Sequence, residues 1–325
     1  YARYIDVSSF VDQHWIVEFT KQIDGYRLSN YMHKDREGKI VMDPIWDWNL
    51  SFGNGNYLRG GIMAGWYWTN SLEGINQNEH IWLRRLITGT SDPFGTSGDP
   101  DFRQKIADRW GELRTTVLSL GNVLGMVDTY TNLLSEPKDR DFARFPRLGT
   151  YLWPNPNGAA GGWDVDFQTP ATYSGIIGEM KKWITGRFNW IETQFVKPPI
   201  LSRYGGSTTG PLTMLAPTGT VYYTLDGSDP RLPGGAISPN ALVYASSVVL
   251  PVNARVMARA YLPAQDAPAV ALRRSPHATS PRDRRAARHR VRPLAQGEPG
   301  PALHDHLAGE ERGVPDPLAP APSRQ

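Results

Sequence analysis

All eleven tryptophans of this 325-residue chain lie between Trp15 and Trp190. Each indole that folds in removes roughly 200 Å² from water. The first 190 or so residues must therefore close around a large core. The residues beyond them have to fold with far less, or not at all.

Composition divides the chain into three expected parts: 1–197, 198–263 and 264–325. The last part has ten prolines, no aromatic residue and no lysine. It cannot bury enough apolar area to offset chain entropy, so a disordered tail is expected. The joint rise of Ala, Arg, Pro, Gly and His fits translation out of frame equally well. From Asp266 onward ten arginines face seven acidic residues, which accounts for the whole net charge of +3. The remainder is neutral, so no nucleic-acid partner is expected for the folded part. The chain contains no cysteine, which excludes disulfides, thiolate zinc sites and cysteine nucleophiles. No apolar run reaches the roughly 18 residues of a membrane span. The chain opens at Tyr1, in what reads as the middle of a domain, so a missing signal peptide is uninformative.

Within the first part, Ser9 with Asp12 marks a helix start, and the apolar run reaches about Gln22. Arg27–Met32 and Lys39–Pro44 read as short strands joined by a turn over Asp35–Gly38. Phe102, Ile106, Trp110, Leu113 and Val117 share one helical face. A second helix carries Val123, Met126, Val127, Tyr130, Leu133 and Leu134, and a third runs from Ile176 to Ile191. After Pro198-Pro199 the pattern changes to short β-type runs: Leu212–Leu215, Val221–Leu225, Leu242–Tyr244, Val248–Leu250 and Ala254–Tyr261. Turn residues separate them, as in a small antiparallel sandwich. The fold class expected is α+β.

Two carboxylates stand out, Asp24 and Asp47, 23 positions apart. Asp24 ends an apolar helix and precedes a strand, where it could take a proton from a hydroxyl nucleophile. An ordinary Asp-Gly turn explains it as well. Asp47 lies among Ile45, Trp46, Trp48, Leu50 and Phe52. A carboxylate buried there would need a cation or strong donors, and Mg²⁺ carried by phosphates supplies both. A structural Asp bonded to backbone N–H groups is the alternative. In an extended segment Asn49 points to the same side as Asp47. Lys21, Arg27 and Lys34 flank this region as phosphate contacts or as solvated charges. Trp66-Tyr67-Trp68 reads as core or as a stacking platform. Asp226 and Asp229 read as turn residues, with Ca²⁺ as the other possibility. His14, His33 and His80 have no metal-ligand spacing.

These residues carry a resemblance. Glu18–Lys21, Asp24-Gly25-Tyr26-Arg27, Tyr31–Asp35, Gly38-Lys39, Pro44–Asn54 and Arg109–Arg114 resemble the CotH kinase family of atypical protein kinases. The resemblance covers about 1–197 and implies a kinase-like C-terminal lobe, ATP with Mg²⁺, and phosphorylation of Ser or Thr on a protein substrate. It assigns Asp24 as the catalytic base and Asp47 as the metal ligand. Asn49 or Asn30 would help hold metal, and Lys21 with Asn30 would contact the nucleotide. No Gly-rich loop or Lys–Glu pair precedes Asp24, so this chain alone is expected to be inactive. Tyr222–Pro230 resembles the chitobiase/β-hexosaminidase C-terminal domain, an immunoglobulin-like accessory sandwich. A secreted or surface-located bacterial protein is implied. A non-catalytic wall-associated scaffold touching cell-surface polysaccharide is the alternative.

Overall fold

The computed structural model describes residues 1–69, 80–89, 97–155, 170–206, 210–250 and 254–262. The tail expected at 264–325 lies outside the described residues. The first helix, α1 (Val7–Thr20), starts two residues earlier than Ser9 because Asp6 is its N-cap. The Asp6 carboxylate accepts from the Ser9 N–H at 2.9 Å. The helix stops at Lys21, which adopts a left-handed conformation (φ 51°) and turns the chain out of the helix. A short hairpin comes next, β1 (Met32–His33) with β2 (Val41–Met42), in antiparallel register Met32↔Met42. The Asp35–Gly38 turn closes it, with the Gly38 N–H on the Asp35 carbonyl at 3.1 Å.

Five more helices complete the helical part among the described residues. They are α2 (Ile81–Ile87), α3 (Pro100–Leu113), α4 (Leu120–Leu133), α5 (Pro137–Arg144) and α6 (Tyr173–Glu192). Helix α3 buries Phe102, Ile106, Trp110 and Leu113, the face its spacing foretells. Val117 lies beyond the end of that helix and is 63% exposed, so the expected face is one residue too long. Trp15 of α1 stacks on Trp110 at 4.7 Å, and Trp183 of α6 is fully buried over the Gly61 carbonyl. Eight tryptophan rings, from Trp15 to Trp190, pack in or against this one core (Trp15, Trp48, Trp66, Trp68, Trp82, Trp110, Trp183, Trp190). Helix α4 differs. Leu120, Val123, Leu124 and Val127 lean on the core, whereas Met126, Tyr130 and Leu133 face solvent.

Two small antiparallel sheets come after the helices. One pairs β3 (Ile200–Leu201) with β4 (Met214–Leu215); the other has the order β6 (Leu242–Val243), β5 (Thr220–Thr224), β7 (Met257–Tyr261). A bridge between Leu212 and Val248 adds to them. Their inner faces meet in a second core of Leu201, Leu212, Met214, Val221, Tyr223, Val256 and Ala258. All these elements belong to one compact unit, 1–283. The β-rich part packs on α3 through charged groups. Arg259 on β7 donates to Asp108 of α3 at 2.7 and 3.0 Å, and to Asp229 at 2.6 Å. Arg231 pairs with Asp101 at 2.6 Å.

Candidate functional site

The site grows out of the C-terminus of α1. Because Lys21 is left-handed, residues 20–24 leave the helix and run beside residues 47–52. The Phe52 N–H donates to the Thr20 carbonyl at 2.7 Å, and the Ile23 N–H to the Leu50 carbonyl at 3.2 Å. Between those two ties sits Gln22, which is wholly buried. Its Nε2 donates to the Asp47 carbonyl at 2.6 Å, and its Oε1 accepts from the Asp24 N–H at 2.6 Å. One amide thus links the backbones of the two aspartates that the sequence singles out. The structure brings them together by this route.

Asp24 caps its own turn: its carbonyl accepts from the N–H groups of Arg27, Leu28 and Ser29 at 2.9–3.1 Å. The turn reading and the functional reading are therefore compatible. Its carboxylate, with 14% of the side chain exposed, pairs with Arg27 at 2.9 Å. Burial pushes the Tyr57 hydroxyl up, and the Asp24 charge adds to that rise. The adjacent Ile23 carbonyl accepts from the Tyr67 hydroxyl.

Asp47 requires a correction. Its side chain is exposed, as are Ile45 and Trp46 (58% and 60%). The argument from a buried carboxylate therefore fails; apolar neighbours in sequence do not enclose this one. Asp47 also has φ 57°, so the segment is not extended and strand alternation does not place Asn49. Asn49 is exposed, and its carbonyl accepts from the Asn54 side chain at 2.9 Å. Among the described residues, five non-glycine residues take left-handed conformations, and all lie between Lys21 and Arg59. Such conformations carry strain that the surroundings must hold, and they gather at functional sites.

Lys21 also departs from both expectations. It is 2% exposed, and its ammonium donates to the carbonyls of Ile62 and Ala64 at 2.7 and 2.8 Å. That contact anchors the 62–64 loop under the site. Lys34 is a solvated charge bonded to its own turn. Asn30 donates weakly to the Tyr26 carbonyl at 3.4 Å; its Oδ1 is buried and has no hydrogen-bond partner among the described residues. It lies next to Tyr31, whose carbonyl accepts from Asp43 on the way to Asp47. Trp66, Tyr67 and Trp68 are core residues, 5%, 0% and 2% exposed. Asp226 and Asp229 each accept from the backbone N–H two residues on at 2.9 Å, the turn chemistry expected of them.

Sequence reasoning missed the polar node beneath the site. Glu18 and Arg187 are both fully buried and pair at 3.1 Å. Glu18 also accepts from the Tyr67 and Trp68 N–H groups and from the Tyr26 hydroxyl, at 2.8–3.0 Å. Arg187 donates in addition to the Glu18, Met63 and Gly65 carbonyls. Burial raises the Glu18 carboxyl, against which Arg187 and the three other donors act. Burial lowers Arg187 to about 10. The only advance signal was Glu18 inside the apolar stretch Trp15–Phe19 of α1.

A kinase-like lobe of this build has a counterpart among known families. The family model described as CotH kinase protein matches residues 1–191. The chain belongs to the CotH kinase family. A second model, described as Fn3 associated, matches 212–271. That is a β-sandwich type of domain associated with the chitobiase C-terminal region, as the Tyr222–Pro230 sequence implies. No curated protein and no solved structure matches the chain. Among the described residues no helix is long and apolar enough to cross a membrane.

Proposed function

We propose that this lobe supplies the base and the metal ligand for transfer of a phosphoryl group from ATP with Mg²⁺ to a Ser or Thr hydroxyl of a protein, and that the 325-residue chain by itself is inactive. The observation that carries this reading is the Gln22 amide joining Asp24 to Asp47, in a chain of a kinase family. Asp24 takes the hydroxyl proton. Its turn and Arg27 orient the carboxylate, and its partial exposure leaves it accessible to a substrate side chain.

The residues fit a hard cation. Asp47 offers an exposed carboxylate, and Asn30 offers a buried carbonyl oxygen that lacks a partner among the described residues. Mg²⁺ uses one or two carboxylates and completes its shell with phosphate and water. No group of three or more His, Cys, Asp or Glu is placed to hold a metal among the described residues. The donor set thus suits a cation that arrives with a nucleotide. When bound, Mg²⁺ neutralises charge on the transferring phosphate. Asp47 would hold it, with Asn30 or Asn49 as the second oxygen donor.

The test uses the intact protein that carries these residues, with radiolabelled ATP and a mixed protein acceptor. Asp47→Asn suits the left-handed backbone, since Asn tolerates that conformation. Transfer is expected to fall on the order of 100-fold, with no change in thermal unfolding. Undiminished transfer removes Asp47 from the mechanism.

A further inference from the structure

We propose that Gln22 is a positioning residue: it sets the Asp47 peptide and the Asp24 turn in fixed register, and metal binding at Asp47 depends on it. This inference rests on the phosphoryl-transfer reading above. Gln22 is fully buried, and it touches the backbones of both aspartates. The neighbouring ties, Phe52 to Thr20 and Ile23 to Leu50, hold the flanks but reach neither aspartate. Asp47 has φ 57°, so its peptide plane is turned away from the extended direction. The carbonyl of such a residue needs a donor placed to meet it, and the Gln22 Nε2 is that donor.

The chemistry requires an amide. The Asp47 carbonyl is an acceptor and needs N–H or O–H; the Asp24 N–H is a donor and needs oxygen. Only a group with both functions on one planar end serves the two at once. An ionised carboxylate serves Asp24 alone and sets its other oxygen against the Asp47 carbonyl. A protonated carboxyl serves both, because its O–H replaces the amide N–H. Leucine has a similar size and serves neither.

The experiment measures binding of Mn²⁺ carried by ATP, by water-proton relaxation, on the intact protein that carries these residues. Wild type, Asp47→Asn, Gln22→Leu and Gln22→Glu are compared, with near-UV circular dichroism to check the fold. Asp47→Asn is expected to abolish tight binding. Gln22→Leu is expected to weaken it by about 10- to 100-fold, the usual loss when a supporting contact to a metal ligand is removed. Gln22→Glu adds a pH signature. Its buried carboxyl holds a proton at higher pH than usual, so affinity relative to wild type should recover as pH falls from about 8 to about 6. A purely structural Gln22 would not produce that recovery in metal affinity. If wild type binds no Mn²⁺–ATP, or Asp47→Asn binds it as well as wild type, the phosphoryl-transfer reading fails. If Asp47→Asn loses binding while a folded Gln22→Leu keeps it, the positioning role is overturned. If Gln22→Leu does not fold, Gln22→Met, which keeps the reach of the side chain without its amide, decides: a folded Gln22→Met that binds as wild type does overturns the proposal.

Discussion

Two arginines do opposite kinds of joining in this molecule. Arg187 is fully buried inside the helical lobe, with its charge answered by one carboxylate, Glu18, and by backbone carbonyls. Arg259 sits at the seam between the β-rich part and α3, answered by two carboxylates, Asp108 and Asp229. The first links α1, α6 and the 63–65 loop directly under the candidate site. The second fastens one layer of the molecule to another. Asp108 and Asp229 keep 19% and 37% of their side chains exposed, whereas Glu18 keeps none. Water can therefore repair a loss at the seam and cannot repair one at the node. Charge burial, not the number of bonds, sets what each arginine is worth.

The largest effect is expected at the node. Arg187→Met leaves Glu18 buried and unpaired, and should cost about 3–5 kcal/mol in urea unfolding. Pairing it with Glu18→Leu should recover a good part of that loss. If the single variant costs under about 1 kcal/mol, the contrast between node and seam collapses.

Arg259→Met should cost less, roughly 1–2 kcal/mol, since the freed carboxylates rehydrate. Calorimetry should then show the β-rich part melting apart from the lobe. A single unshifted transition would mean that Arg259 does not hold the seam.

Acid sharpens the comparison further. Burial, with Arg187 nearby, lowers His14 from 6.5 to about 3; burial lowers His80 to about 3 as well. Both stay neutral in the fold, while their unfolded forms take up protons below about 6.5. Stability is therefore full above about 6.5 and is lost as pH falls toward about 3. At the seam, Arg231 and the Gly234 N–H hold Asp101 below its ordinary range despite its burial. That contribution is present above the unfolded carboxyl range and is lost at lower pH still. The lobe should thus weaken first, and His14→Gln should flatten the slope of melting temperature between about pH 6.5 and about pH 4. An unchanged slope would show that His14 takes up protons alike in the folded and the unfolded chain.

The smallest effect belongs to an exposed pair. Arg140 and Glu136 meet at 2.6 Å with 72% and 67% of their side chains in water. Arg140→Ala should shift stability by less than about 0.5 kcal/mol, which sets the zero of the scale for the two buried arginines.

How far the chain could be read depended on the kind of signal. The buried face of α3 was legible from Phe102, Ile106, Trp110 and Leu113, because helical spacing survives any packing partner. The α4 residues were only half legible. Apolar side chains stand on two of its faces, and spacing does not say which one meets the core. Asp24 and Asp47 were legible as a pair from the family-like sequence around them. Their environments were not: Asp47 was expected inside and is outside. Lys21 was read as surface or phosphate contact and is an internal anchor. Gln22 carried no mark at all, since a polar residue after a helix usually faces water.

Local sequence therefore settled what depends on neighbours along the chain: helices α1, α3, α4 and α6, the Asp35–Gly38 turn, and the Asx turns at Asp226 and Asp229. Tertiary structure decided everything that depends on approach from a distance. It set the exposure of Asp47, the partner of Glu18 169 positions away, and the Gln22 amide that reaches Asp47 across 25 positions and so ties it to Asp24. The physical reason is that periodicity and turn chemistry are properties of adjacent dihedrals. Burial and charge pairing are properties of whichever segment arrives from elsewhere, and no window of sequence contains it.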